Sequence, residues 1–343
     1  MFKEQTKSNT IEDRFIVRSP TLDDMEDVLE MLEITDLTMI GEIEVTAQML
    51  HQDWTNPILD MERNFRVVTT KNGRVVAYGE LLDNQKPLLQ FWSWNRVHPD
   101  FEGQGIGTYL MNWGEKLARQ SMVKSPPEAR ITLYADAPST YQPTIDLLKA
   151  QGMKLVRRFY KMRIDLHEQP TPPQIPENIT IRPMHNRDEL PAIVNAIQEA
   201  FRDHWGIVEQ TPEQELERWN RRIETDPAFD PDLWFLAVDG DQIAGFSLCS
   251  PKRGANQEMG WVNVLGVLRP WRRQGLGLAL IQHSFVELHQ RGKKWVGLGV
   301  DADSLTGAAR LYEKAGMYIA RQFDKYEKEL RQGTDLVTKT IEE

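Results

Sequence analysis

The chain has 343 residues, 41 of them Lys or Arg and 51 Asp or Glu, for a net charge of −10. At about 150 residues per domain this length suits two domains, and 40% hydrophobic with 27% charged residues is the make-up of a folded globular chain rather than a disordered or collagen-like one. The acidic balance argues against non-specific nucleic-acid binding, which depends on neutralising phosphates, but it leaves room for a local basic pocket that holds a small anion.

Residues 1–60 carry four basic and fourteen acidic side chains, so this segment alone equals the whole net charge. Met1–Thr10 is polar and unlike a signal peptide. No run approaches the roughly 18 apolar residues of a membrane span, so the expected location is cytoplasmic. Phe15–Arg18 reads as a strand, with a helical pattern from Leu22. Residues 66–78 read as a hairpin around Asn72-Gly73, a dipeptide that accepts the positive φ of a tight turn. Val97–Gly107 then leads from a strand through two glycines into a helix. Pro143 falls within the next helical pattern and is expected to disfavour it. A strand at 159–166 closes this half. Gln169–Pro176 holds four prolines and suits an exposed linker.

The second half repeats the first in order. Ile179–Arg182 matches Phe15–Arg18, with a helical pattern from Arg187. Trp234–Ala244 is a hairpin around Asp239-Gly240, Val267–Gly277 matches Val97–Gly107, and Gly316-Met317 matches Gly152-Met153. Each copy reads β-α-β-β-β-α-β-α-β. The expected fold is α/β (α+β), with two tandem domains, each a mixed twisted sheet flanked by helices. The expected boundaries are 1–167, a linker at 168–178, 179–330 and a tail at 331–343. The single cysteine, Cys249, excludes a disulfide framework and is expected to be a small buried hydrophobe. No His pair has metal-ligand spacing, and no metal is expected.

The strongest local signal runs from Trp261 to Gly277. A β-rich stretch enters a turn with Arg269, Arg272 and Arg273, then Gly275 and Gly277, then a helical pattern to about Gln290. The first turn of a helix offers unpaired backbone N–H groups and the positive end of its dipole. Glycines let an anion approach that backbone closely. The turn is therefore expected to hold a phosphate or pyrophosphate. A P-loop is absent, and a Rossmann fingerprint fails because Leu280 stands where its third glycine belongs.

Arg272-Arg-Gln-Gly-Leu-Gly277 resembles the Arg/Gln-x-x-Gly-x-Gly/Ala signature of the GNAT acyltransferases. Val300–Met317, with Leu311-Tyr-Glu-Lys314 before Gly316, resembles that family's second signature. Two copies in one chain resemble the mycothiol synthase type of tandem GNAT protein. The resemblance implies an N-acyltransferase that moves an acetyl group from acetyl-CoA to a primary amine of a small molecule, by direct attack in a ternary complex in the C-terminal copy. It implies the pyrophosphate on Arg272, Arg273, Gln274, Gly275, Leu276 and Gly277. The pantetheine arm would run along Leu265, Gly266 and Val267, with Gly266 suiting the strand bulge there.

Tyr312 would lie near the thioester sulfur and protonate the departing thiolate. Ser304 would contact the cofactor or cap the following helix. Glu258 is the nearest carboxylate for a general base, Trp261 occupies the place where a base often stands, and ordered water is the other candidate. Asp203, His204 and Trp205 fall on the acceptor side. In the first copy Val97, Gln104, Gly105, Ile106 and Gly107 form a second candidate acyl-CoA site. Glu102 in place of Arg272 and Leu148 in place of Tyr312 mark that copy as degenerate. Two other readings stay open: a non-catalytic acyl-CoA-binding regulatory or scaffold protein, and a protein N-terminal or lysine acetyltransferase. No nucleic acid or membrane partner is expected. Monomer and dimer are not distinguished.

Overall fold

The computed structural model describes residues 10–83, 87–202, 204–206, 210–304 and 307–337. In chain order the elements are α1 (Ile11–Arg14), β1 (Phe15–Arg18), α2 (Met25–Ile40), α3 (Ala47–Trp54), α4 (Met61–Asn64), β2 (Phe65–Thr70), β3 (Val75–Leu82), β4 (Gln90–Val97), α5 (Ile106–Ser121), β5 (Ile131–Pro138), α6 (Gln142–Ala150) and β6 (Lys154–Asp165). They continue with β7 (Ile179–Pro183), α7 (Leu190–Phe201), α8 (Pro212–Thr225), β8 (Trp234–Asp239), β9 (Gln242–Ser250), β10 (Met259–Val267), α9 (Leu276–Gln290), β11 (Trp295–Asp301), α10 (Ala308–Lys314) and β12 (Tyr318–Arg331). The repeated β-α-β-β-β-α-β-α-β order is present in a mixed α/β fold.

The chain divides into two compact units. The first comprises Met1–Val156 and Lys325–Thr334, the second Arg157–Asp324 and Asp335–Glu343. In the first, β1, β2, β3, β4 and β5 lie in that order, followed by the later part of β12. Neighbours from β1 to β4 are antiparallel, and β4 runs parallel to β5. Arg130 pairs with Glu327 and Glu329, and the Tyr134 hydroxyl donates to Glu327 at 2.7 Å, which fastens β12 beside β5. Its core includes Val28, Leu32, Phe65, Val67, Tyr78, Ile106 and Leu110.

In the second unit the order is β7, β8, β9, β10, β11 and β6, followed by the early part of β12. β10 and β11 are parallel and β11 and β6 antiparallel. Met162 on β6 is buried with Val262, Phe285, Val296, Leu298 and Tyr312. Helix α9 buries Ala279, Leu280, Ile281, Ser284, Phe285 and Leu288, the spacing of one helical face. Cys249 is 1% exposed in this core, and burial pushes its thiol up to about 11, as suits a packing residue.

Pro143 does not interrupt its helix. α6 starts at Gln142, so the proline stands in the first turn, where its missing N–H has no intrahelical partner to lose.

Candidate functional site

The site is built where two parallel strands part. β10 pairs with β11 from Met259 to Val262, and the pairing ends at Val262 opposite Leu298. Beyond that point β10 continues to Val267 against β9 alone. Its backbone groups on the β11 side therefore lose their strand partner, and polar backbone demands one. An amide-bearing chain laid there would complete the ladder, as an added strand does.

The bulge lies earlier than Gly266. The β10–β9 register shifts between Val262 and Val264, leaving Asn263 as the extra residue, while Gly266 pairs regularly with Phe246. Gly266 is needed for a different reason. A Cβ there would stand 2.4 Å from the Phe246 ring and 3.1 Å from Ala200. The glycine lets Phe246 and the end of α7 close over β10. Asn263 donates to Ser250 Oγ at 2.7 Å, accepts from Arg222 at 3.3 Å, and lines a cleft with Trp219, Arg222 and Asp226. Sequence reasoning missed this residue, although an Asn amid a Val-rich strand was a visible signal.

The signature loop follows directly. Gly275 has φ +85 and caps α9 without any side-chain hydrogen bond, so the first-turn N–H groups point outward unclaimed by a cap. Arg273 is left-handed at φ +64. Arg272 donates through Nε to the Val267 carbonyl at 3.0 Å and through Nη2 to the Ala200 carbonyl at 3.2 Å. Arg272 thus locks the loop to β10 and α7 while keeping its charge beside the helix N-terminus. Gln274 donates to the Pro270 carbonyl at 3.0 Å. A Cβ at Gly277 would stand 3.1 Å from Leu311 and 3.7 Å from Val267, so this glycine admits α10.

Tyr312 follows Leu311 on α10. It is 7% exposed, and its hydroxyl has no hydrogen-bond partner among the described residues. Burial pushes its phenol up to about 12, so it stays protonated through the physiological range. The ring is buried while the hydroxyl oxygen is not sealed from solvent, so it can donate to an acceptor that arrives there.

Of the three residues expected on the acceptor side, His204 and Trp205 are described, and their rings pack near β10 and β11. Asp203 lies outside the described residues. The ring of His204 packs on Phe201 at 4.4 Å, and Phe201 in turn stacks on Phe246, which covers Gly266. Trp205 lies under the guanidinium of Arg157 at 5.5 Å. Arg157 binds both carboxylate oxygens of Asp301, the last residue of β11, at 2.9–3.0 Å. The segment after α7 therefore reaches both strands. Arg157 had no local sequence signal, because its partner is 144 residues away.

Ser304 does not cap α10. Gly307 does, with φ +69, and the Ser304 carbonyl accepts its N–H at 3.0 Å. Glu258 precedes β10 at the end opposite the loop, half-exposed and paired with Lys294. Nine strand residues, about 30 Å at strand rise, separate it from the turn, and four, about 13 Å, from the point where β10 and β11 part. Trp261 lays its ring against Gly297, where a Cβ would stand 2.6 Å away. Arg253 lies over that ring at 4.5 Å.

The first unit repeats the backbone of the loop. β4 and β5 pair only from Gln90 to Trp92, and Val97 ends β4. Gly103 and Gly105 have φ +71 and +86, and α5 begins at Ile106. A Cβ at Gly107 would stand 2.8 Å from Leu147, the counterpart of Leu311. The side chains differ. Glu102 accepts from the Tyr141 hydroxyl at 2.8 Å, Arg14 donates to the Gln104 carbonyl at 2.5 Å, and Leu148 is buried at the place of Tyr312.

Among the described residues, no helix is long and apolar enough to cross a membrane. The Acetyltransferase (GNAT) family model matches residues 29–137 and 191–317, which hold the two glycine loops. The mycothiol acetyltransferase of Nocardiopsis dassonvillei is 30% identical over 243 residues, covering 64% of this chain and 69% of its own length. That of Streptomyces bingchenggensis is 29% identical over 283 residues, covering 80% and 82%. The crystal structure of a GCN5-related N-acetyltransferase from Sphaerobacter thermophilus has a TM-score of 0.81 at 33% identity, over 95% of this chain and 99% of its own. A tandem GNAT protein from the clavulanic acid biosynthesis pathway has a TM-score of 0.72 at 15% identity, over 93% and 100%, and shares the fold.

Proposed function

The chain belongs to the GNAT acetyltransferase family, and from that membership we propose that its second unit transfers acetyl from acetyl-CoA to the primary amine of a small molecule by direct attack in a ternary complex. The family makes the chain an N-acetyltransferase and implies acetyl-CoA as the donor. The observation that carries the finer reading is the conjunction, in one unit, of an uncapped helix N-terminus, a strand edge released by its neighbour and the unpartnered hydroxyl of Tyr312. The first suits the pyrophosphate, held by the N–H groups after Gly275 with Arg272 and Arg273 beside it. The second suits the amide-rich pantetheine arm, along Leu265–Val267.

The chemistry follows from these placements. The free amine attacks the thioester carbonyl, a C–N bond forms, and negative charge gathers on the oxygen. Backbone N–H groups of β10 stabilise that oxyanion. As the intermediate collapses, the C–S bond breaks and the electron pair leaves on sulfur. Tyr312, held neutral by burial, supplies the proton or hydrogen bond to that thiolate. Glu258 stands four residues, about 13 Å of strand, before the point where β10 and β11 part, so the ammonium proton leaves through water, with Glu258 as the nearest carboxylate beyond it.

The relatives named mycothiol acetyltransferase support an amine on the route to mycothiol as the acceptor class. The first unit supports a supporting role, because Leu148 offers no proton where Tyr312 stands in the second. The test is release of coenzyme A thiol from acetyl-CoA with small amines. Turnover with one of them, lost on Tyr312→Phe, is expected. Silence with every amine overturns the reading.

A further inference from the structure

The two glycine turns differ in what stands on them. A Cβ placed at Gly275, ahead of α9, would meet nothing within 4 Å, so the second unit's turn lies open at this point. A Cβ at Gly105, ahead of α5, would stand 3.5 Å from Ile11 Cδ1 and 4.0 Å from Arg14 Nη2. Both glycines have the same left-handed backbone, φ +85 and +86, and in each unit the helix begins at the next residue. The backbone repeats, and only the first copy carries a cover.

That cover is α1. Its four residues are too few to hold a helix by themselves, so the fold fixes this turn from several sides. Thr10 and Asp13 cap one another: the Asp13 carboxylate accepts from the Thr10 N–H at 2.9 Å and from its hydroxyl at 3.1 Å. Lys71, between β2 and β3, donates to the Glu12 carbonyl at 3.1 Å. Ile11 packs against the cluster that holds Ile106 and Leu110 of α5. Arg14 donates to the Gln104 carbonyl at 2.5 Å, inside the glycine turn itself. The Glu12 carboxylate hydrogen-bonds to the hydroxyl of Tyr109, in the first turn of α5. A helix N-terminus favours negative charge, and here the chain supplies it from its own side chain.

We propose that residues 10–14 are a built-in stopper of the first unit's glycine turn: Ile11 and Arg14 occupy the ground that a pyrophosphate would take, so the chain holds one acyl-CoA rather than two. The inference rests on the reading of the second unit's turn as the donor site. It also gives a physical reason for Glu102. A carboxylate at this turn would repel a pyrophosphate, but with the stopper seated no pyrophosphate arrives. Glu102 is then free to serve packing instead, as the acceptor for the Tyr141 hydroxyl at 2.8 Å.

Calorimetric titration of the full-length chain with coenzyme A counts the sites, and amide exchange locates them. Wild type is expected to bind one equivalent. Glu102→Gln, which removes the repulsive charge and leaves the stopper, should also bind one. Glu102→Gln combined with Ile11→Ala and Arg14→Ala should bind two. Coenzyme A should slow exchange at 276–279 in all three proteins and at 106–109 in the triple variant alone. Wild-type exchange along β3 shows that the first unit of that variant is folded. Ile11→Ala by itself, a milder change, should speed exchange at 106–109 at least tenfold without ligand, and it serves where the triple variant does not fold. Two equivalents on wild type or on Glu102→Gln, no second site on the folded triple variant, or exchange unaltered by Ile11→Ala overturns the stopper. Absence of slowing at 276–279 in every protein removes the donor reading instead, and 106–109 in the triple variant still decides the stopper.

Discussion

Arg273 in the second unit and Gly103 in the first occupy the same position of their glycine loops and share a left-handed backbone, φ +64 and +71. Only glycine adopts that conformation without strain, and an L side chain there costs about 1–2 kcal/mol. The second loop keeps a cation at this position in spite of the strain, next to the N-terminus of α9. The first loop, with Glu102 beside it, keeps the relaxed residue.

Replacing Arg273 by glycine should therefore separate charge from geometry. Relief of strain offsets the greater freedom of glycine in the unfolded chain, so stability should change by less than about 1 kcal/mol. The KM for acetyl-CoA should rise about tenfold with kcat retained, since one charge-assisted contact contributes roughly 1.5 kcal/mol. Initial rates at low and high salt check this. An unchanged KM removes Arg273 from the donor site.

Tyr312→Phe should lower kcat by about a hundredfold or more with little change in KM, the signature of a group that acts in the transition state. Stability should change by less than about 1 kcal/mol, because the hydroxyl lost has no partner among the described residues and is not sealed from solvent. With its phenol pushed to about 12, Tyr312 should impose no alkaline limb on wild-type kcat below pH 10. Wild-type turnover in the variant refutes the role.

Gly266→Ala should destabilise the second unit by about 1–3 kcal/mol, the usual range for overpacking. The added carbon meets the Phe246 ring at 2.4 Å and Ala200 at 3.1 Å. Because Ala200 also accepts from Arg272, the loop should loosen and the KM for acetyl-CoA should rise. Denaturant unfolding and steady-state kinetics on the same preparation check both halves. Full stability means that Phe246 yields easily.

Glu80 gives a pH prediction with a definite sign. Its folded carboxyl is raised from 4.5 to about 8 by burial and by Asp53. Between those values the folded state keeps the proton and the unfolded state does not. Stability from this group is therefore complete below about pH 4.5 and is lost as pH rises toward 8. Glu80→Gln should match wild type near pH 4.5 and exceed it at pH 8 by about 1–3 kcal/mol. Thermal melts across that range check it, and a gap that does not widen with pH contradicts it.

The repeat, the hairpins at Asn72-Gly73 and Asp239-Gly240 and the glycine loops were legible because each rests on local backbone demands: a positive φ, a strand period or a helix start. Gly277 and Gly107 were also legible as a matched pair, though not the reason for them, which is the close approach of Leu311 and Leu147. The bulge was misplaced at Gly266 because a missing Cβ serves ring packing as readily as it serves a bulge. The α10 cap was misplaced at Ser304 because capping preference does not reveal where a loop ends. Glu258 was legible only as the nearest carboxylate along the chain; the structure sets it at the far end of β10 from the turn, paired with Lys294.

What the sequence determined by itself is the duplicated α/β plan, the family and the glycine turns that open α5 and α9, all properties of short segments and their order. Only the tertiary structure decided the rest. It set β6 beside β11, joined Arg157 to Asp301 and left the Tyr312 hydroxyl without a partner among the described residues. It also set Glu80 and Asp136 within electrostatic reach of Arg96 in the first unit. Contacts between residues far apart in the chain depend on strand register and on which neighbours exclude water, and no local pattern of residues encodes either.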